Sequence, residues 1–116
     1  MRDTPMPPDE DHDAHFGITP QRRAAAIRAA AAEVLVRVQE WRDSPHWRDD
    51  DTNRDRYRRT ADAVATLDRV PDPSTPEALS ALVEAIRPIL HVWRPGRPGA
   101  EQAIHSAVQR LQRVSA

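Results

Sequence analysis

Residues 49–60, "DDDTNRDRYRRT", carry the densest set of potentially reactive groups in this 116-residue chain. Asp49, Asp51, Asn53 and Asp55 alternate as the oxygen ligands of a calcium loop do. The remainder of such a loop is missing. Its sixth position is Arg54, where a sharp turn needs glycine, and its twelfth is Thr60, where a bidentate glutamate is needed. The better reading is electrostatic. Acids at a helix start offset the positive end of its dipole, and Asp55 and Arg59 stand four apart in the favourable order. Arg54, Arg56, Arg58 and Arg59 surround Tyr57, a composition able to hold phosphate and stack on a base. Three neighbouring aspartates would repel a phosphate chain, so nucleic-acid contact here is the disfavoured alternative.

Other chemistry is thin. There is no cysteine, which excludes disulfides, thiolate metal sites and thiol nucleophiles. His12 and His15 sit three apart, but in an acidic, proline-rich stretch with nothing to hold a helix. His46, His91 and His105 fall in separate elements. No nucleophile elbow or glycine-rich phosphate loop is present, and the chain has only three glycines. The expectation is a protein without catalytic residues, metal or cofactor.

The tryptophans are more informative. Trp41 and Trp93 each end an apolar helical stripe, and Trp47 follows the break at Ser44-Pro45. In a bundle whose first and third helices run parallel, all three fall at one end. They form either an aromatic plug or, for Trp47 above all, a partly exposed patch rimmed by Arg42, Arg48 and Arg94. Trp41, Trp47, Trp93 and these arginines are the expected protein-binding residues.

Four elements must position these groups. Thr19 caps a first helix with Pro20 at its first position. Ile27, Ala31, Val34, Val38 and Trp41 form its buried stripe, which ends near Asp43. The second helix opens at Ser44-Pro45 or at one of Asp49 to Asp51, with Tyr57, Ala61, Val64 and Leu67 inward. "PDPSTPE" is a loop that ends in a cap, either Ser74 with Glu77 or Thr75 before Pro76. The third helix buries Leu79, Leu82, Val83, Ile86, Leu90 and Trp93, with a kink or split expected at Pro88. After "RPGRPG", a fourth opens around Pro98 to Ala100 and buries Ile104, Ala107, Val108, Leu111 and Val114. The fold class is therefore all-α, an antiparallel four-helix bundle over residues 18–116. The variant is three helices plus a poorly ordered second segment. Residues 1–17, with five acids against one arginine, read as a disordered acidic tail.

The net charge of −1 gives no general basic excess. No apolar run spans a bilayer and the acidic start is unlike a signal peptide, so a cytoplasmic location is expected. All 17 basic residues are arginine, which with the many Ala, Pro and Asp residues points to GC-rich, actinobacterial coding.

The order of "EVLVRVQEW", "SPHW", "AIRPIL" and "AIHSAVQRLQRV" resembles the CATRA-associated small proteins, helical proteins encoded beside actinobacterial conflict (defence) systems. The likeness covers roughly residues 33–114 and rests on Val34, Leu35, Trp41, Trp47, Pro88, Arg94 and Leu111. The resemblance implies an accessory or adaptor role and supplies no catalytic residue. A regulator or antitoxin contacting nucleic acid through Arg54, Arg56, Arg58 and Arg59 is the alternative. Self-association through the alanine-rich first helix is the third.

Overall fold

The computed structural model describes residues 19–93 and 102–116. Among them are four α-helices and no strand: α1 (Pro20–Arg42), α2 (Asp51–Arg69), α3 (Ser80–Val92) and α4 (Gln102–Ser115). A 3-10 turn, Glu77–Leu79, leads into α3. The protein is an all-α helical bundle. The proposed tail, residues 1–17, and Arg94 lie outside the described residues.

The helix starts follow local chemistry. The Thr19 hydroxyl accepts from the Arg22 amide at 3.2 Å, and Pro20 occupies the first turn, where its missing N–H would be unpaired anyway. Asp50 caps α2, accepting from the Asn53 amide at 2.8 Å. The Ser44-Pro45 alternative is therefore not used, and residues 43–50 form the connection between α1 and α2. Before α3, Thr75 accepts from Ala78 N–H at 3.2 Å, so the Thr75-Pro76 cap is the one formed. The helix Ser80–Val92 continues through Pro88, and the expected split is absent. Pro88 is exposed, so its ring displaces no core atom.

The helices alternate in direction. Arg23, near the start of α1, donates to the Ala116 carbonyl just beyond α4. Trp93 at the end of α3 meets Arg56 in the first half of α2 and Thr60 at its middle. Arg28 on α1 reaches the loop after α2, donating to the Val70 carbonyl at 2.6 Å and pairing with Asp72. α1 is central and touches every other helix, α2 also packs on α3, and α2 and α4 do not meet.

The core contains Ile27, Ala31, Val34, Val38 and Trp41 from α1, as the spacing predicts, with Ala24 and Ala30 added. α3 supplies Leu82, Ile86, Ile89 and Trp93, and α4 supplies Ile104, Ala107, Val108 and Leu111. Leu79, Leu90 and Val114 pack at the margin.

α2 differs from expectation. Its buried residues are Asn53, Arg56, Thr60, Ala63 and Leu67. They recur at 3, 4, 3 and 4, a regular helical stripe turned one position from the apolar one. Tyr57 and Val64 are its partly buried flank. The reason is the pair of indoles facing α2, which offer π-faces to a cation and an N–H to an acceptor.

Candidate functional site

The three tryptophans meet at the end of the bundle formed by the close of α1, the start of α2 and the close of α3. Trp41 is at the centre. Trp47 meets it edge-on, with ring centroids 4.9 Å apart and planes at 75°, and Trp93 does so at 6.2 Å and 76°. Edge-to-face pairs at such distances add about 0.5–1.5 kcal/mol each beyond burial.

A short chain of hydrogen bonds sets this arrangement. The Ser44 hydroxyl donates to the Trp41 carbonyl at 2.7 Å and accepts from His46 N–H at 3.2 Å. The Trp47 amide donates to the Ser44 carbonyl at 3.2 Å. The turn that Pro45 forces is thus closed onto the end of α1, which brings Trp47 back over Trp41. On the α2 side, Asn53 Nδ2 donates to the Arg48 carbonyl at 2.8 Å, fixing the backbone that follows Trp47.

Behind the indoles lies a buried polar network. Arg56 is 6% exposed, and its guanidinium carbon stands 4.1 Å from the Trp93 ring centroid and 5.5 Å from that of Trp41. It donates to Asn53 Oδ1 at 2.9 Å. Trp93 Nε1 donates to the Thr60 hydroxyl at 2.9 Å, and that hydroxyl donates to the Arg56 carbonyl at 2.8 Å. Asn53 uses its carbonyl toward Arg56 and its amide toward Arg48, so a single side chain ties the surface turn to the core.

The expected protein-binding residues therefore separate. Trp93, 1% exposed, and Trp41, 9% exposed, are core residues, so their rings are covered and the plug reading describes them. As surface contacts both are corrected, because α2 and Trp47 cover them. Trp47 keeps an exposed part while its ring packs against the core. Arg42 is exposed and lies over the Tyr57 ring at 4.4 Å, beside Asp43. Arg48 is exposed and forms no ion pair with the described residues. Arg94, the third expected rim arginine, lies outside them.

The arginine cluster separates too. Arg56, expected at the surface in the nucleic-acid alternative, is buried under the indoles. Arg54 pairs with Asp49 at 3.1 Å and Asp51 at 2.6 Å. Arg58 and Arg59 both pair with Asp55, Arg59 at 2.8 Å. Asp55 is held below the usual carboxylate range, chiefly by the hydrogen bond from Arg58, which outweighs desolvation and is helped by the charge of Arg59. The hydrogen bond that Arg54 donates to Asp51, then that to Asp49, raises Arg54 further above its ordinary value. Of the would-be calcium ligands, Asp49, Asp51 and Asp55 thus each face an arginine and Asn53 belongs to the buried network.

Among the described residues, no group of three His, Cys, Asp or Glu is placed to hold a metal ion. His46 and His91 are exposed and His105 is partly buried. No described helix is long and apolar enough to cross a membrane. The buried Arg56–Asn53–Thr60 stripe is what sequence reasoning missed. Its signal was present as a 3, 4 spacing of polar residues, continued at 3 and 4 by Ala63 and Leu67, opposite two expected buried tryptophans. No family model matches the chain, and neither does any curated protein or solved structure.

Proposed function

We propose that the protein is a non-enzymatic interaction component, an adaptor that binds another protein through the corner centred on Trp47. The observation that supports this is the setting of Trp47. It is a partly exposed indole held edge-on against Trp41 at 4.9 Å, on a turn pinned to α1 and α2 by side-chain hydrogen bonds. Aromatic anchors that are rigid before binding lose little conformational entropy on association and dominate interface energetics. Arg48, exposed and forming no ion pair with the described residues, supplies a charge-assisted donor at the rim, and Arg42 extends the aromatic surface across Tyr57.

The resemblance to the CATRA-associated small proteins agrees with a cytoplasmic accessory of an actinobacterial conflict system. The partner would then be encoded nearby. Co-expression with the products of adjacent genes tests the reading. One of them should co-purify with the parent chain, and Trp47→Ala and Arg48→Glu should each weaken that association at least tenfold. Arg48 is exposed, so Arg48→Glu leaves the fold intact, and circular dichroism verifies it for both variants. Retained binding in both variants defeats the assignment of this corner.

The nucleic-acid alternative receives no support from the geometry. Arg54, Arg58 and Arg59 are bound to carboxylates and Arg56 is buried, which leaves no uncompensated basic face there.

A further inference from the structure

The outward side of α1 is unusual for a bundle helix. A surface helix ordinarily carries charge opposite its buried stripe. Opposite Ile27, Val34 and Val38, α1 carries Ala25, Ala29, Ala32 and Val36, all exposed. Val36, at 43%, is the one large hydrophobic residue that is exposed among the described residues. This face turns into the seam between α1 and α4, where two adjoining hollows of about 450 and 330 Å³ share Glu33 and Arg110. Their floor is Ala26, Ala29 and Ala30 from α1 with Ala103, Ser106 and Ala107 from α4. Apart from Val114 at one side, no apolar residue lining the hollows is bulkier than alanine, so an extended chain can lie close to both helices.

The rim is positive. Glu33 stands there against Arg37, Arg110 and Arg113. Arg37 is neutralised by Glu33 at 2.6 Å and Glu40 at 3.0 Å. Arg110 and Arg113 are exposed and pair with none of the described residues. These two guanidiniums on an alanine floor call for an acidic ligand with small or flat apolar side chains.

We propose that the α1–α4 seam is the docking site of the chain's own acidic segment, residues 1–17. That segment holds Asp3, Asp9, Glu10, Asp11 and Asp13 against Arg2 alone, and joins α1 directly through Thr19. From Pro20 to Glu33, α1 rises about 20 Å. Six extended residues cover the same distance, at roughly 3.3 Å each. Docked in this way, Asp13 would come level with Glu33 and within reach of Arg110, and Phe16 would fall at the register of the alanine floor. Tethering adds an effective concentration in the millimolar range, so individually weak contacts suffice.

Charge selects this seam over a nearer hollow. A hollow of about 520 Å³ beside Pro20 sets Arg23 and Arg87 against Glu77 and Glu84, and Arg87 is already paired with Glu84 at 2.9 Å. It offers the acidic segment no net attraction. The arginines of α2 are likewise compensated by Asp49, Asp51 and Asp55.

The absence of cysteine makes the test direct. A nitroxide on Ala14→Cys in the full chain should broaden the amide signals of Ala26, Ala29, Ala103 and Ala107 at low salt. The broadening should vanish at about 0.5 M NaCl, where the screening length falls to a few ångströms. It should also vanish in Arg110→Glu/Arg113→Glu, and persist in Arg69→Glu, which removes an exposed arginine elsewhere. No broadening at the seam, or broadening that survives Arg110→Glu/Arg113→Glu, overturns the proposal. Mixing isotope-labelled chains with unlabelled, spin-labelled ones checks the route: broadening of equal strength there would show docking between copies and overturn the intramolecular form.

Discussion

Replacing Arg56 with alanine removes a side chain that two tryptophans and an asparagine are arranged around. The charge-assisted hydrogen bond to Asn53 Oδ1, 2.9 Å long, is worth about 1.5–3 kcal/mol. The guanidinium lies 4.1 Å from Trp93 and 5.5 Å from Trp41, and stacking contributes roughly 0.5–2 kcal/mol when desolvated. The stem adds about 0.8 kcal/mol per buried methylene. Desolvating the charge offsets several kcal/mol of this total. The expected net loss for Arg56→Ala is therefore about 2–4 kcal/mol, or a fall in Tm of roughly 10–25 °C for a domain of this size. Arg56→Met keeps the stem and relieves the desolvation, but leaves Asn53 Oδ1 without that donor. It should cost about half as much. Urea unfolding followed by tryptophan fluorescence measures both, since the reporting indoles contact the altered side chain. If Arg56→Ala stayed within about 0.5 kcal/mol of the parent, the loss would be that of a surface substitution and the network would not be structural.

Further expectations concern the same half of the molecule. Thr60→Val keeps the shape but strands the Trp93 indole N–H, buried at 1% exposure where water does not reach it. It should cost about 1–3 kcal/mol while Thr60→Ser costs much less; equal losses in urea titrations would contradict the hydrogen-bond account. Asp55 titrates below the ordinary carboxylate value because Arg58 and Arg59 favour its charged form. Its contribution to stability is present above that ordinary pKa and lost as pH falls through the lowered one. Carboxyl NMR should show Arg58→Gln moving the Asp55 midpoint upward, and an unmoved midpoint would refute the pairing. Pro88 is exposed inside a continuous helix and has no N–H for the Glu84 carbonyl. Pro88→Ala should stabilise the fold by about 1–3 kcal/mol in thermal melts, and destabilisation would mean that the proline geometry is needed.

The buried stripes of α1 and α4 were legible because each consists of apolar residues at helical spacing, and water alone orients such a helix. The starts of α1 and of the turn before α3 were legible for a local reason: Thr19-Pro20 and Thr75-Pro76 satisfy backbone groups within a few residues. Ser44-Pro45 has the same form and starts no helix. The choice went to Asp50, whose cap is joined to a second contact, Asn53 on the Arg48 carbonyl. That contact exists only once the turn has folded back.

Within the candidate site, the clustering of three tryptophans at one end followed from helix lengths and alternating direction, both readable along the chain. Which indoles are covered was decided by α2. Its orientation could not come from hydrophobicity, since the inward side carries Asn53, Arg56 and Thr60 while Tyr57 and Val64 sit at the flank. A buried arginine is favourable only where π-faces and an acceptor replace its water, and Trp41, Trp93 and Asn53 do so in three dimensions. The sequence by itself determined four helices, the cap of α1 and the apolar faces of α1 and α4, because those depend on local chemistry and transfer from water. Only the tertiary structure decided that α2 turns its polar stripe inward and that Trp47 alone of the three keeps an appreciable exposed surface. Both depend on directional contacts between residues far apart in the chain.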